Sequence, residues 1–187
     1  MAKKNKNINV GVIGVGHLGR HHTKHYAQLK CANLIGVYDI DKRAREKTAL
    51  KYNTKPFDSM EALIKEVDAV SIVTPTHQHK VVAESCIKSG KHVFIEKPIT
   101  KTLREANALI NLAVKNKRLI QVGHIERLNP ALIPLSNLDI DPKYIEVQRL
   151  APYMSRGTDV PVVLDLMIHD IDLVLAFVKA PVEQIQA

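Results

Sequence analysis

The chain has 187 residues, 45% of them hydrophobic, and a formal net charge of +8, which is enough material for one sizeable globular domain with part of a second. No apolar run approaches the roughly 18 residues of a membrane span, and the N-terminus lacks an apolar signal-peptide core, so we predict a cytoplasmic protein with no membrane partner. Six basic residues and no acid lie in residues 1–30, and only 4% of the chain is aromatic, so the charge disfavours nucleic acid and suits a small phosphate-bearing ligand.

Apolar runs of strand length alternate with stretches of helical period along residues 8–122. The predicted strands are Ile8–Ile13, Leu34–Tyr38, Ala69–Val73, His92–Ile95 and Leu119–Val122. The predicted helices are Leu18–Leu29, Lys42–Tyr52, one that starts at Asp58–Glu61, Val81–Ser89 before Gly90, and one from Thr102 to about Asn116. Because parallel strands need crossover helices to return the chain, this alternation predicts an α/β fold with a doubly wound parallel sheet.

The sequence changes character after Gly123. Prolines punctuate it at positions 130, 142 and 152, a strand is predicted over Tyr144–Leu150, and the apolar run VPVVLDLMIHDIDL of residues 160–173 predicts a helix. Val182 and Ile185 alternate as in the opening of another strand. We therefore predict one domain over residues 1–123 and the start of a second over 124–187. The second is too short to cover a sheet, which indicates a truncated form of a longer protein.

A glycine-rich loop follows the first predicted strand. Gly14, Gly16 and Gly19 form a G-x-G-x-x-G pattern that also contains His17 and Leu18, directly before a predicted helix. In this setting the first glycine permits a tight turn, the second lets a pyrophosphate approach the backbone, and the third lets the helix pack on the strand. The positive end of the helix favours the phosphates. The loop therefore predicts a dinucleotide site.

Asp39 closes the second predicted strand about twenty residues after the last glycine, where an acid bonds the hydroxyls of the adenosine ribose. A carboxylate repels the 2′-phosphate of NADP, so Asp39 favours NAD as the cofactor. Lys42 and Arg43 lie close by and leave NADP open as the less favoured alternative.

Thr74 and Pro75 follow a predicted strand at the carboxyl edge of the sheet, where ligands of open α/β folds bind. His77 and His79 come next, but no carboxylate or cysteine lies nearby to complete a metal site, so no metal is predicted. The two cysteines of the chain lack CxxC spacing, which disfavours a thiolate zinc site and fits unpaired thiols. Solvated surface positions are predicted for the histidines of the first helix, His21, His22 and His25.

Glu96, Lys97 and Pro98 end another predicted strand on the same edge. A lysine held there, partly desolvated and near a cationic nicotinamide ring, can act on a substrate hydroxyl; a plain surface lysine is the alternative. Pro98 restricts Lys97 to extended geometry and permits a cis peptide bond, which would fix the direction of the lysine.

Three aspartates and a histidine lie in the apolar run of residues 160–173. Acids in such a segment need buried partners or a function. On a regular helix Asp165, His169 and Asp172 share one face, because they are spaced at i, i+4 and i+7. By itself this face is a solvated edge or a structural histidine. Asp170 lies off it and has no predicted role.

These motifs resemble the Gfo/Idh/MocA family of sugar and cyclitol oxidoreductases. The resemblance rests on GVGHLG, Asp39, TPTHQH, GKHVFIEKP and the later Asp-x-x-x-His, which together run from about residue 8 to 172. It implies a Rossmann domain followed by the beginning of an α+β domain with a mostly antiparallel sheet. It also implies that most of the second domain is missing, and that the full-length protein is a homo-oligomer.

The resemblance carries over to individual positions. Lys97 resembles the family's catalytic lysine, and Asp165 and His169 resemble its Asp-x-x-x-His pair. These three imply oxidation of a ring hydroxyl, in which His169 takes the proton, Asp165 orients it and Lys97 bonds the substrate oxygen while the hydride passes to NAD. Residues of the cofactor pocket are implied at Thr74, Pro75, His79, Glu96 and Lys97.

A narrower resemblance joins VGHIERLNPA and DVPVVLDLMIHDIDLVL to family members that oxidise C3 of UDP-N-acetylglucosamine to a 3-keto product. Those members commonly have Phe where this chain has Leu128, a conservative difference that affects only the fine shape of the pocket. Candidates for binding the diphosphate or the sugar are Arg127, Asn129, Tyr153 and Arg156, with ordinary surface positions as the alternative. Two other functions stay open: a non-catalytic dinucleotide-binding module, and a dehydrogenase of another sugar or a cyclitol such as inositol.

Overall fold

The chain forms two compact units, residues 1–123 and residues 124–187. The computed structural model describes residues 7–150 and 160–186, apart from the side chains of Ser136 and Asn137. Within those ranges no helix is both long enough and apolar enough to cross a membrane.

The first unit alternates strands and helices. Its strands are β1 Ile8–Ile13, β2 Ala32–Tyr38, β3 Lys55–Pro56, β4 Ala69–Ile72, β5 His92–Ile95 and β6 Ile120–Val122. Its helices are α1 His17–Gln28, α2 Lys42–Lys51, α3 Met60–Glu66, α4 Thr76–Lys88 and α5 Leu103–Asn116. Every strand pairs with its neighbours in parallel, in the order β3-β2-β1-β4-β5-β6. The predicted doubly wound parallel sheet is confirmed.

Capping residues explain where several helices begin and end. Asp41 accepts hydrogen bonds from the first backbone N–H groups of α2, and Ser59 and Thr102 do the same for α3 and α5. Gly90 follows α4 with φ +76°, a conformation that costs glycine little. These boundaries agree with the sequence pattern.

Helix α4 begins at Thr76, five residues before the predicted start at Val81. Its first turn buries Thr76 and His79 on the same face that continues with Val82 and Ala83. The inward positions of that turn are polar, so an apolar period does not reveal them. Lys55–Pro56 was also missed, because a two-residue strand at the edge of a sheet has no apolar run.

Two apolar layers cover the sheet. Val12 and Val37 pack with Ala49 on the side of α1 and α2. Ile13 and Leu63, which are 2% and 0% exposed, belong to the larger layer formed with α3, α4 and α5. Burial of each such side chain contributes about 1.5–3 kcal/mol, so these layers hold the strand ends in fixed positions.

The strand order reverses between β1 and β4, which places the carboxyl ends of these strands side by side. Open α/β sheets bind ligands in the crevice at such a point. The glycine loop follows β1 there, Asp39 follows β2, Thr74 follows β4, and Glu96 and Lys97 follow β5. The candidate residues of the first unit therefore share one edge of the sheet.

The second unit contains two short 3-10 turns, Ile125–Leu128 and Ile133–Asn137, and the helix α6, Ile168–Phe177. The strand predicted over Tyr144–Leu150 is wrong. No ladder of backbone hydrogen bonds joins residues 144–150 to another part of the described chain, and a strand is stable only with such a partner. For the same reason residues 182–185 form no strand, although their apolar residues alternate.

The helix predicted over residues 160–173 forms, but it is not regular. Residues Val163–Met167 make a π-helical turn directly before α6. A π turn bonds i to i+5 in place of i+4, so it changes which side chains share a face. Asp165 lies within this turn and His169 lies just after it.

Candidate functional site

The three glycines of the loop differ in what a side chain at each position would contact. Gly14 has φ +88°, and a Cβ there would lie 2.6 Å from the carbonyl oxygen of Val73. A Cβ at Gly19 would clash with the carbonyl oxygen of Gly14, whereas a Cβ at Gly16 would meet no atom of the described residues within 4 Å. Gly14 and Gly19 are therefore required by the packing of the loop. Gly16 leaves open space where a phosphate can approach the backbone.

Helix α1 starts at this opening. Its N-cap residue is Gly16, and no side chain among the described residues caps it. The backbone N–H groups of His17 and Leu18 in the first turn are therefore available to an anion, and the helix dipole adds to their attraction. His17 and Leu18 are both exposed, as residues beside a ligand site need to be. The loop and the helix fit a pyrophosphate.

Asp39 is tied to the glycine loop. One carboxylate oxygen accepts a hydrogen bond from the Val15 N–H at 2.7 Å, and the other accepts from the Asp41 N–H at 2.9 Å. The buried Arg45 donates to the Asp39 carbonyl at 3.3 Å and to Asp58 at 2.5 Å. Arg45 was not predicted, since it looks like one more basic residue of a polar helix. The half-exposed carboxylate keeps lone pairs for ribose hydroxyls.

The turn after β4 is supported from behind by His79, which is 1% exposed. Its Nδ1 lies 2.9 Å from the Pro98 carbonyl oxygen and its Nε2 lies 2.9 Å from the Thr74 carbonyl oxygen. Both ring nitrogens are thus engaged by the protein, and His79 joins the two turns that carry Thr74 and Pro98. Within the described ranges the Thr74 hydroxyl oxygen is buried without a hydrogen-bond partner, and contact of Thr74 with a cofactor stays a prediction.

Lys97 follows β5 and is half-buried, and its peptide bond to Pro98 is cis, as the sequence permits. Glu96, only 8% exposed, accepts from the Lys97 backbone N–H at 3.2 Å. It also pairs with Nε2 of His22 at 2.9 Å. The surface position predicted for His22 is therefore wrong, while His21 and His25 are exposed as predicted. The sequence did contain a sign that His22 faces inward. It lies at helical spacing with three other residues of the inward face of α1: Gly19, Thr23 and Tyr26.

Asp165 and His169 are both half-buried in the second unit, at the π turn that precedes α6. Such turns are frequent at functional sites. The sequence spacing predicted a shared helical face, and the π turn gives these two residues a different offset from that of a regular helix.

The two other acids of this segment have arginine partners. Arg127 donates two hydrogen bonds to Asp172, at 2.7 Å and 2.6 Å, and His124 lies 3.6 Å from the same carboxylate. Burial acts to raise the pKa of Asp172, but the hydrogen bonds of Arg127 and the nearby positive charges lower that pKa overall. Arg149 donates to both oxygens of Asp170 and lowers its pKa. Asp170 and Asp172 therefore each have the partner that an acid in an apolar segment requires.

The predicted substrate residues are only partly described. Two nitrogens of Arg127 are engaged by Asp172. Asn129 donates to Glu126 at 3.2 Å and accepts from the Ala131 N–H at 3.0 Å, so it shapes its own turn. Contact of Arg127 and Asn129 with a substrate stays a prediction. Tyr153 and Arg156 lie outside the described residues. Among the described residues no cluster of His, Cys, Asp or Glu is suited to a metal ion.

The strand order, the glycine loop at its reversal point and the acid after β2 define a dinucleotide-binding protein with a doubly wound sheet. The model of an oxidoreductase family with an NAD-binding Rossmann fold, Gfo/Idh/MocA, matches residues 8–124. The chain belongs to this family, and its cofactor is accordingly NAD.

The chain is similar to proteins that act on sugars and cyclitols. It is 43% identical over 181 residues to UDP-N-acetylglucosamine 3-dehydrogenase from Acidithiobacillus ferrooxidans, covering 96% of this chain and 57% of that protein. A solved structure of the same enzyme has a TM-score of 0.88 with 44% identity, over 93% of this chain and 57% of that one. Inositol 2-dehydrogenase from Rhizobium meliloti is 29% identical over 178 residues, covering 89% of this chain and 53% of that protein. The chain thus spans a little over half the length of these relatives.

Proposed function

We propose that this chain is the cofactor-binding and catalytic part of an NAD-dependent dehydrogenase that oxidises the C3 hydroxyl of UDP-N-acetylglucosamine to a 3-keto nucleotide sugar. The observation that carries the proposal is the 43% identity to an enzyme of that name over 96% of this chain. The inositol dehydrogenase is only 29% identical, which favours the nucleotide sugar over a cyclitol.

In this proposal the glycine loop and Asp39 hold the cofactor. Gly16 and the first N–H groups of α1 bind the pyrophosphate, and Asp39 bonds the adenosine ribose. The negative charge of Asp39 disfavours the 2′-phosphate of NADP. Thr74 and Pro75, in the turn after β4, complete the cofactor pocket in this proposal.

The chemical step breaks the C3–H bond and the O–H bond of the sugar. NAD, when bound, accepts the hydride and so carries the redox change. His169 accepts the hydroxyl proton, and Asp165 orients its ring. Lys97 donates a hydrogen bond to the substrate oxygen, which stabilises the negative charge that develops there as the proton leaves.

Single substitutions test these roles. Lys97→Ala and His169→Ala should each lower turnover of UDP-N-acetylglucosamine by about a hundredfold to ten-thousandfold, with a much smaller effect on NADH binding measured by fluorescence. Lys101→Ala is the matched control, because Lys101 is exposed four residues further along the chain. Wild-type turnover in either test variant would remove the role assigned to that residue.

A substrate panel separates the proposed reaction from its rivals. NADH formation with UDP-N-acetylglucosamine, and little with myo-inositol or free N-acetylglucosamine, would support the proposal. Faster turnover of inositol would identify a cyclitol dehydrogenase. NADH binding without oxidation of any of the three would indicate a dinucleotide-binding module.

A further inference from the structure

Hydrogen bonds join several polar side chains of α1, β4 and the end of β5 in the first unit. Nδ1 of His22 lies 2.9 Å from the hydroxyl oxygen of Ser71, and its Nε2 lies 2.9 Å from Oε1 of Glu96. Tyr26 also bonds the side chain of Ser71, and burial raises the pKa of Tyr26. We refer to Tyr26, Ser71, His22 and Glu96 as the Glu96 network. It joins the inward face of α1 to the ends of β4 and β5.

The hydrogen bonds at the Glu96 end of the network have a fixed direction. A carboxylate only accepts, so Nε2 of His22 is the donor to Glu96. Nδ1 of His22 shares a hydrogen bond with the Ser71 hydroxyl, which can either donate or accept. The second oxygen of Glu96, Oε2, accepts from the backbone N–H of Lys97 at 3.2 Å. The network therefore ends at Lys97, the residue that donates a hydrogen bond to the substrate oxygen in the proposed reaction.

The Glu96 carboxylate is confined by His22 and by Gly123. His22 itself is fixed by an edge contact with Phe94, with ring centroids 5.6 Å apart. A Cβ added at Gly123 would lie 3.1 Å from Oε1 of Glu96, so glycine leaves only just enough room there. Glu96 is 8% exposed and Ser71 is 0% exposed. A buried carboxylate without donors is costly, so loss of the His22 donor would leave Glu96 to reorient.

We propose that His22 is a positioning residue for Lys97 and acts through Glu96. The His22 donor fixes the Glu96 carboxylate, which in turn holds the Lys97 backbone N–H and so sets where the lysine side chain leaves the end of β5. The catalytic effect of positioning Lys97 rests on the proposed function. The hydrogen bond between Glu96 and the Lys97 backbone N–H does not depend on it.

Two substitutions of similar size separate positioning from simple packing. The side-chain amide of Gln reaches about as far as Nε2 of histidine, so His22→Gln keeps a donor for Glu96. Asn reaches only about as far as Nδ1, so His22→Asn keeps a partner for Ser71 and loses the donor to Glu96. His25→Asn is the control, because His25 is an exposed histidine of the same helix.

The deciding measurement is the backbone amide of Lys97, followed by NMR in the 187-residue chain without substrate. In His22→Asn its hydrogen exchange should be roughly fivefold to tenfold faster than in wild type, with a changed chemical shift, while His22→Gln and His25→Asn stay close to wild type. Gly123→Ala places a methyl group against the same carboxylate and should also shift this signal. An unchanged Lys97 amide in His22→Asn, or equal changes in the Gln and Asn variants, would overturn the proposal.

Turnover gives the second readout. In His22→Asn, kcat for UDP-N-acetylglucosamine should fall about tenfold to a hundredfold with NADH affinity nearly unchanged, and His22→Gln should restore most of it. Equal losses of kcat and NADH affinity would overturn the positioning role. If no variant, wild type included, oxidises the sugar, the proposed function fails, and the Lys97 amide still decides the role of His22.

Discussion

Asp39 accepts a hydrogen bond from the backbone N–H of Val15 at 2.7 Å, so the acid after β2 is fixed to the loop after β1. Its other oxygen accepts from the Asp41 N–H at 2.9 Å. One carboxylate therefore shapes the glycine loop, and in the proposed function it also bonds the adenosine ribose. The proposal thus gives one side chain two functions, both of which use the acceptor oxygens of an acid.

Asp39→Ala should weaken NADH binding by roughly tenfold to a hundredfold, because it removes charge-assisted hydrogen bonds and the support of the loop. NADPH should lose less affinity, since the repulsion of its 2′-phosphate also disappears. Fluorescence titrations of both cofactors measure the two affinities. Asp41→Asn is the control, because it removes a charge nearby and keeps the cap of α2. An unchanged ratio of NADH to NADPH affinity in Asp39→Ala would show that this acid does not select the cofactor.

Gly16→Ala should weaken cofactor binding, whereas Gly19→Ala should destabilise the fold. In the part of the chain that the structure describes, a Cβ at Gly16 meets no atom within 4 Å, so the fold should keep its melting temperature. NADH affinity should drop by about tenfold or more, the equivalent of about 1.4 kcal/mol. A Cβ at Gly19 clashes with the Gly14 backbone and should lower the free energy of unfolding by about 3 kcal/mol or more. Calorimetry and NADH titration separate the effects, and a stable Gly16→Ala variant with wild-type affinity would place the pyrophosphate elsewhere.

The pair formed by Arg149 and Asp170 should make stability depend on acid pH. Arg149 holds the pKa of Asp170 below its ordinary value of about 3.9, so the pair stabilises the folded state above that pH and stops doing so as pH falls through the lower folded pKa. Asp170→Asn should cost about 1 kcal/mol near neutral pH, and its difference from wild type should shrink progressively as the pH falls below about 4.

Denaturant unfolding at several pH values measures this difference. Asp141→Asn is the control, because Asp141 pairs with Lys143 on the surface, where the two side chains are 83% and 86% exposed, and should change stability little. A cost for Asp170→Asn that persists undiminished in strong acid would mean that the ion pair is not its source.

The two cysteines should differ sharply in reactivity. Burial raises the pKa of the Cys86 thiol to about 12, whereas Cys31 is exposed. Because the thiolate is the reactive form, iodoacetamide should label Cys31 alone in the native protein at mildly alkaline pH and both cysteines after unfolding. Mass spectrometry gives the sites. Rapid native labelling of Cys86 in a Cys31→Ser variant would contradict the burial of this thiol.

The sheet was predictable because its strands are short apolar runs separated by strong helix signals. Capping residues such as Ser59 and Thr102 also marked helix starts correctly. The wrong strand over Tyr144–Leu150 shows the limit of this reading, since an alternating pattern predicts a strand only where a neighbour exists to pair with it.

The site was predictable only in part. The roles of residues that the backbone conformation or packing requires, such as Gly14 and Gly19, could be predicted from the sequence. Pairs that meet across the fold could not, since Arg127 and Asp172 are 45 residues apart and no local pattern joins them. The π turn at Asp165 could not be predicted for a related reason. Packing, and not the periodicity of the sequence, decides whether the backbone hydrogen bonds join residues i and i+4 or i and i+5.

The most direct test of the proposed reaction uses UDP-N-acetylglucosamine that carries deuterium at C3 of the sugar, mixed with the protein and NAD. We predict that the NADH formed contains the deuterium and that the sugar product is the corresponding 3-ketone, both identified by mass spectrometry. NADH formed without deuterium, or a protein that binds NADH and forms none from this substrate, would contradict oxidation at C3.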